Sequence, residues 1–343
     1  MEILAPQHNT RLYGQDAAVA RFMQAVQGRL HHAWLLHGPS GIGKTTFAFH
    51  CANHLLSGGV QPIGKLRPEH KDFKLIAAGA HPDLQVVAPP LDEKTGLIKD
   101  EIPVAAIRDA VSFFRLTSGR EGWRIVIIRN ADQMNRNAAN ALLKMLEEPP
   151  RRALLLMTAT ARGRLLPTIR SRCRPLALQP MPPETMTLLL EGYQDELSPA
   201  ELRQLHRLSA GSPGQALQLL RLGGLQLYRD FLNLMQSSEK EQLTALLRFA
   251  GAGGKQEGER QDLIARFSAG WLQRLAHLAA TGEVQEITEG EAQLQRRQVA
   301  RRPAGHWLDL LSQTEEQWRQ ARAANLDKRL VIINNLQQVL AAA

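Results

Sequence analysis

Through the first half of the chain, short apolar runs alternate with stretches of helical period. Ala33-Trp34-Leu35-Leu36, Leu84 to Val87, Ile125 to Ile128 and Leu154 to Met157 have the length and character of buried strands. Between them, Ala48, Cys51, Ala52 and Leu55 recur at i, i+3, i+4, i+7, as do Ala139, Leu142, Leu143 and Leu146, the spacing that lays one apolar stripe along a helix. Strands alternating with helices predict an α/β domain, a mostly parallel sheet covered on both faces. The pattern changes at Gln179-Pro180-Met181-Pro182-Pro183, which reads as a linker. Beyond it every periodic segment is helical. Ser198-Pro199-Ala200-Glu201 has the form of a capping box with proline at the first helical position, and Ser212-Pro213 is a second helix start. Gly251 to Gly258 reads as a glycine-rich loop. Ile264, Phe267, Trp271, Leu275 and Leu278 form one apolar stripe, and Ile332, Leu336, Val339 and Leu340 another. Stripes of this kind are core positions. No internal repeat is visible.

A chain of 343 residues, 44% hydrophobic and 22% charged, is too long for one core and suits two or three globular domains. No apolar run reaches the length of a membrane span. The start, Met1-Glu2-Ile3-Leu4-Ala5-Pro6, lacks the basic flank and apolar stretch of a signal peptide, so a cytoplasmic location is expected. Two cysteines, Cys51 and Cys173, exclude a disulfide framework and a four-thiolate zinc site. Net charge is +9, and much of the excess is local: Arg151 to Arg174 holds seven arginines and no acid, and Arg296, Arg297, Arg301 and Arg302 cluster again. Such runs suit a nucleic acid or an acidic partner, and equally a solvated face.

The sharpest chemical signal is Gly38-Pro39-Ser40-Gly41-Ile42-Gly43-Lys44-Thr45, a complete G-x-x-x-x-G-K-[ST] motif. It follows the strand ending at Leu36 and opens the helix holding Ala48 and Cys51, the context a phosphate loop requires. Glycines let backbone N–H groups turn inward around phosphate oxygens, and the helix N-terminus adds positive dipole. Lys44 would reach the outer phosphates and Thr45 would ligate magnesium, with Thr46 beside it in the first turn. The binding set is thus Gly38, Gly41, Gly43, Lys44, Thr45 and Thr46.

Hydrolysis needs more. One carboxylate at the end of a neighbouring strand must hold the metal, and another must orient the attacking water. The strand Arg124 to Ile128 is followed instead by Arg129-Asn130-Ala131-Asp132. Arg129 puts a cation where a metal should sit, Asn130 cannot act as a base, and Asp132 lies three residues beyond the expected metal position. The reading is a loop that can hold nucleotide on a chain that cannot turn it over.

Asn137-Ala138-Ala139-Asn140-Ala141-Leu142-Leu143-Lys144-Met145-Leu146-Glu147-Glu148-Pro149-Pro150 resembles the signature after the Walker B strand in the clamp-loader family of AAA+ proteins. Ser171-Arg172-Cys173 resembles its S-R-C motif, Leu12-Tyr13-Gly14-Gln15 its adenine-side motif, and Gly211-Ser212-Pro213-Gly214 its sensor 2 region. The order matches across residues 10 to 220. The resemblance is closest to the delta-prime branch of bacterial DNA polymerase III. It implies an AAA+ nucleotide-binding domain over 1–178, a small helical lid over 179–222 and an all-α collar over 223–343. It further implies a non-motor role in loading the sliding clamp onto primed DNA. The implied partners are the gamma/tau motor subunits, the delta subunit, and, through the complex, the clamp and primer-template DNA. Motor subunits of the family carry Asp-Glu where this chain has Arg129-Asn130, an arginine where it has Gly214, and four zinc-binding cysteines where it retains Cys51 alone. No zinc is therefore expected, and Ser57 to Phe73 would form an ordinary loop. The intact phosphate loop departs from the delta-prime pattern and leaves ATP or ADP with magnesium open as a ligand.

The resemblance makes Arg172 an arginine finger acting in trans on a neighbouring subunit's ATP; on local sequence alone it is one cation in a basic run with Arg170 and Arg174. Cys173 reads as packing. Thr158 and Thr160 remain alternatives for the sensor 1 position. His31, His32 and His37 lack metal-ligand spacing and read as structural. The competing readings are an active ATPase, either a motor clamp-loader subunit or a branch-migration helicase, and a small-substrate kinase. Arg129-Asn130 opposes the first, and the second half shows no acceptor site for the second.

Overall fold

Strands β1 (Ala33–His37), β2 (Leu84–Val87), β3 (Arg124–Ile128), β4 (Ala153–Ala159) and β5 (Arg174–Ala177) form one sheet in the order β2-β3-β4-β1-β5, with every pairing parallel. The computed structural model describes residues 3–90, 101–115, 122–193, 197–237, 239–250, 257–300, 302–324 and 326–342. They divide into two compact units, residues 1–195 with 210–215, and residues 196–209 with 216–343.

In the first unit, alternate residues of each strand feed opposite cores. Trp34, Leu36, Ile125, Ile127, Leu154, Leu156 and Leu176 pack with helices α1 (Asp16–Gln27) and α2 (Lys44–Leu56). Leu35, Val126, Ile128, Leu155 and Met157 face α4 (Val104–Phe113) and α5 (Arg136–Glu147). The short helix α3 (Lys71–Ala77) lies between α2 and β2 in the chain. A strand buried on both faces reads as a continuous apolar run, so β1, β3 and β4 stand out in the sequence, and β2 shows as a short run with Val87 buried. The fifth, β5, does not: it is a sheet edge containing Pro175, only Leu176 of its four residues is buried, and its pairing with Trp34 to His37 supplies what its composition lacks. After it come α6's successors α7 (Pro183–Glu191) and, ending the unit, the start of α9 (Pro213–Arg221); α6 itself (Pro167–Arg170) precedes β5.

Ser57 to His70 is irregular, and α3 then takes in Phe73, which is buried, so the loop expected to reach Phe73 stops at His70. Buried polar groups of α2 anchor this loop. His50 Nε2 donates to the Asn9 carbonyl at 3.0 Å while its Nδ1 accepts the Gly64 N–H at 3.0 Å. His54 Nδ1 pairs with the Gln61 carbonyl at 2.7 Å, and the fully buried Gln61 side chain bonds both N–H and C=O of Arg67 at 2.9 Å. His50 is therefore held as a neutral ring, and burial lowers its pKa to about 4, against a smaller opposing effect of the Asn9 bond. The unfolded chain takes up this proton near pH 6.5 and the folded chain only near 4. Stability is thus complete above pH 6.5, falls between 6.5 and 4, and changes no further below, by up to about 3 kcal/mol. Urea unfolding at pH 7.5 and 5 should show the loss, and His50→Gln should flatten it; an unchanged slope would remove His50 as the cause.

Helices are the only regular elements among the described residues of the second unit: α8 (Pro199–Leu208), most of α9, α10 (Gly224–Gln236), α11 (Glu239–Ala250), α12 (Glu257–Thr281), α13 (Glu291–Val299), α14 (Ala304–Ala323) and α15 (Lys328–Ala342). The capping box opens α8 as expected, Ser198 Oγ accepting the Glu201 N–H at 3.3 Å and Glu201 accepting the Ser198 N–H at 3.0 Å. Both apolar stripes are buried, and Phe231, Phe267 and Trp271 meet in tilted and edge-on contacts around Tyr228. The glycine-rich loop expected at Gly251 to Gly258 lies outside the described residues up to 256, and α12 begins at Glu257. Among the described residues no helix is long and apolar enough to cross a membrane.

Candidate functional site

The phosphate loop joins β1 to α2. Gly43 sits at φ 97°, left-handed, as the residue before α2, and Gly41 at φ 75° marks the tip. Side chains rarely adopt either conformation. Lys44, 7% exposed, folds over the loop and donates to the carbonyls of Gly38 at 2.8 Å and Pro39 at 2.7 Å. Burial lowers its pKa, and the nearby Asp132 carboxylate opposes that shift. Thr45 and Thr46 are half-buried in the first turn of α2. His37 is kept neutral by burial and by the cations of Arg162 and Lys44. His31 and His32 stack at 4.3 Å and bond the Ala33 and Leu146 carbonyls, which fits a structural role.

The end of β3 is built for shape rather than for a metal. Asn130 lies at φ 53°, a conformation asparagine tolerates, and its N–H donates to Thr158 Oγ at 3.0 Å. Thr158 is fully buried, whereas Thr160 is exposed. Asp132 Oδ2 accepts the N–H groups of Thr160 at 3.0 Å and Ala161 at 3.3 Å, so one of its oxygens is engaged in tying β4 to the turn after β3. Arg129 is half-buried, with its pKa lowered by that burial. Among the described residues no three His, Cys, Asp or Glu side chains converge as a metal would require. The glycine-lined loop and Lys44 fit a phosphate group. The donor set at the end of β3 does not fit a divalent cation.

A third element reaches this site from residues 172 to 175 positions away in the chain but in the same unit. Ser212 Oγ donates to the Ser40 carbonyl at 2.8 Å, Gln215 Nε2 to the same oxygen at 3.1 Å, and the Gly214 N–H to the Gly41 carbonyl at 2.9 Å. A Cβ at Gly214 would stand 2.9 Å from the Gly41 oxygen. An arginine could not occupy position 214 without pushing this segment off the loop. Gln15 works similarly on the adenine-side motif: buried, it donates to the Gln179 carbonyl at 2.8 Å and accepts the Gln179 N–H at 3.2 Å.

Arg172 lies apart from these groups. One terminal nitrogen is 2.8 Å from Glu147, the last residue of α5, and the other donates to the Thr168 carbonyl at 3.0 Å and the Ser171 hydroxyl at 3.4 Å. Its neighbour Cys173 is buried in the α4–α5 core, its thiol pushed up to about 12 by that burial, and Cys51 is buried with its thiol also raised. Neither thiol is a nucleophile at neutral pH. The structure thus gathers Gly38 to Thr46, Asp132 and Gly211 to Gln215, and keeps Arg172 on its own ledge. Sequence reading missed Asp132's double bond to β4 and the Glu147 partner; both acids stand in plain view within the motifs, but nothing in their spacing says what they hold.

Comparison with known proteins places the chain beside DNA polymerase III subunits. Residues 14–182 match the family described as DNA polymerase III, delta subunit. DNA polymerase III subunit delta' of Pseudomonas aeruginosa is 40% identical over 62% of this chain and 63% of its own length. The Escherichia coli subunit delta' is 36% identical over 57% of this chain and 56% of its own. The Yersinia pestis subunit delta' is 30% identical over 75% of this chain and 80% of its own. The matched stretch is thus less than two thirds of the length of the first two relatives.

Proposed function

The chain belongs to the DNA polymerase III subunit delta' family, and from that premise we propose that it is a non-motor subunit of a clamp-loader complex, supporting ATP-dependent loading of the sliding clamp onto primed DNA. The observation that carries this reading is the end of β3, where Arg129 and a turn-forming Asn130 stand in place of a metal-binding and a water-orienting acid. Gly214 in contact with the Gly41 carbonyl supports it, because a motor subunit needs an arginine there.

In this reading Gly38, Gly41, Gly43, Lys44, Thr45 and Thr46 hold the phosphates of ATP or ADP without turnover. Bound nucleotide would supply anionic oxygens to which the loop amides and Lys44 donate. Arg172 acts in trans: its guanidinium stabilises charge on the phosphoryl group transferred in a neighbouring motor subunit. The gamma/tau and delta subunits are the direct partners, the clamp and primer-template DNA are reached through the complex, and the complex works in the cytoplasm. Residues 1–178, 179–222 and 223–343 serve as nucleotide-binding domain, lid and collar.

Two measurements test the proposal. The isolated chain should hydrolyse ATP at background, because loss of metal positioning and water activation removes several orders of magnitude. Turnover on the order of one per second would establish a motor instead. Omitting the chain from a reconstituted loader should abolish clamp loading onto primed DNA; loading that proceeds without it would refute the assigned role.

A further inference from the structure

Resting on the trans role proposed for Arg172, we infer that Glu147 is the positioning residue that sets this guanidinium for work on the neighbouring subunit's nucleotide. An arginine side chain has several free torsions, and a finger that samples many of them is seldom in place when charge develops on the phosphoryl group. Here three contacts remove that freedom. Glu147 Oε1 stands 2.8 Å from Nη2 as an ion pair, and Nη1 bonds the Thr168 carbonyl and Ser171 hydroxyl. A guanidinium carries five N–H donors. The Nε–H makes no bond among the described residues, so a donor of the guanidinium is left for an anion.

The location of Glu147 is otherwise unfavourable. As the last residue of α5 it sets a negative charge at the negative end of the helix dipole, where a lysine or arginine would suit local stability better. Nor does the pair contribute much to folding, since both side chains are substantially exposed, 37% for Arg172 and 51% for Glu147, and surface ion pairs add little. Glu148 is the natural control: the next carboxylate in the chain, exposed, with no partner among the described residues. Thr168 and Ser171 belong to the same short segment as Arg172 and bond it locally. Glu147 alone ties the guanidinium to a different element, α5, whose Ala138, Ala139, Leu142, Met145 and Leu146 are packed into the core. The finger is thereby referenced to the rigid part of the domain.

The test uses the full chain in the reconstituted loader and reads kcat and KM for DNA-stimulated ATP turnover. Glu147→Ala should lower kcat at the finger-dependent site about ten- to a hundredfold with KM little changed, the size expected of a misplaced catalytic group. Glu147→Gln should recover part of the loss, because its amide oxygen still accepts from Nη2. Glu148→Ala should match the wild type, and Glu147→Ala combined with Arg172→Ala should be no slower than Arg172→Ala alone. If Glu147→Ala runs at the wild-type rate or faster while Arg172→Ala is slow, Glu147 only screens or sequesters the finger, and the inference fails with the finger intact. If Arg172→Ala is itself unchanged, the trans role fails and takes the inference with it.

Discussion

A loader assembled with Arg172→Ala should lose about a thousandfold in turnover at the one nucleotide site that Arg172 serves, the scale on which arginine fingers act. The other motor sites keep their own fingers, so total ATP hydrolysis should fall only in part while clamp loading, which needs the sites to act together, should fall further. The variant should still fold: the Arg172 side chain is 37% exposed, and its bond to Glu147 is a surface pair of about 1 kcal/mol or less. Assembly should also survive, because interfaces rest on buried anchors more than on one polar tip. Single-turnover ATP hydrolysis with primed DNA, measured beside size-exclusion of the complex, separates these effects. Normal loading by a normally assembled complex would mean that Arg172 is part of a basic surface and nothing more.

Glu291→Ala should destabilise the helical unit by about 3–5 kcal/mol, the range for removing one partner of a buried ion pair. Glu291 is 2% exposed in the first turn of α13 and gathers a polar network inside an aromatic core. It accepts the Tyr228 hydroxyl at 3.0 Å and the Thr288 N–H at 2.8 Å, while Arg274 donates to the Tyr228 oxygen at 2.8 Å and stands 3.8 Å from the carboxylate. Arg274 also lies over the Trp271 ring at 5.4 Å, and the Trp271 N–H donates to Gln298 at 2.9 Å. Burial first, and the neighbouring carboxylate second to it among the raising effects, hold the Tyr228 hydroxyl in its neutral donor form. Alanine at 291 would leave the Arg274 cation without its counter-charge and the Tyr228 hydroxyl without an acceptor. Glu291→Gln keeps an acceptor and should lose less. Urea unfolding followed by helical circular dichroism would show the transition; a loss under about 1 kcal/mol would mean that the network contributes packing alone.

Local signals in the chain sufficed for much of the fold. Strands β1, β3 and β4 are buried on both faces and so are written as apolar runs, β2 shows as a short run although only Val87 of it is buried, and α2, α5, α12 and α15 carry stripes at helical spacing because each buries one face. The phosphate loop was legible for a different reason: its glycines answer a backbone requirement that lies within eight consecutive residues. The same holds for the capping box at Ser198 and for the absent acids after β3, both of which are statements about neighbours in the chain.

What the sequence by itself determined, then, is the class of fold, the presence of a phosphate loop, and the lack of an acid at the two positions directly after β3, since each depends on short-range periodicity or on a contiguous motif. Only the tertiary structure decided the rest. Strand β5, polar and proline-bearing, becomes a strand because β1 offers it an edge. Gly214 matters because 173 positions away along the chain the Gly41 carbonyl accepts its N–H at 2.9 Å and would also stand only 2.9 Å from any Cβ at 214, closer than real Cβ atoms come. His50 is neutral because the fold buries it, with the Gly64 N–H donated to its Nδ1. Arg172 pairs with Glu147, and Glu291 is held by Tyr228 and Arg274, across separations at which sequence spacing carries no information. A hydrogen bond or an ion pair is made by atoms within a few ångströms, and only folding determines which residues those are.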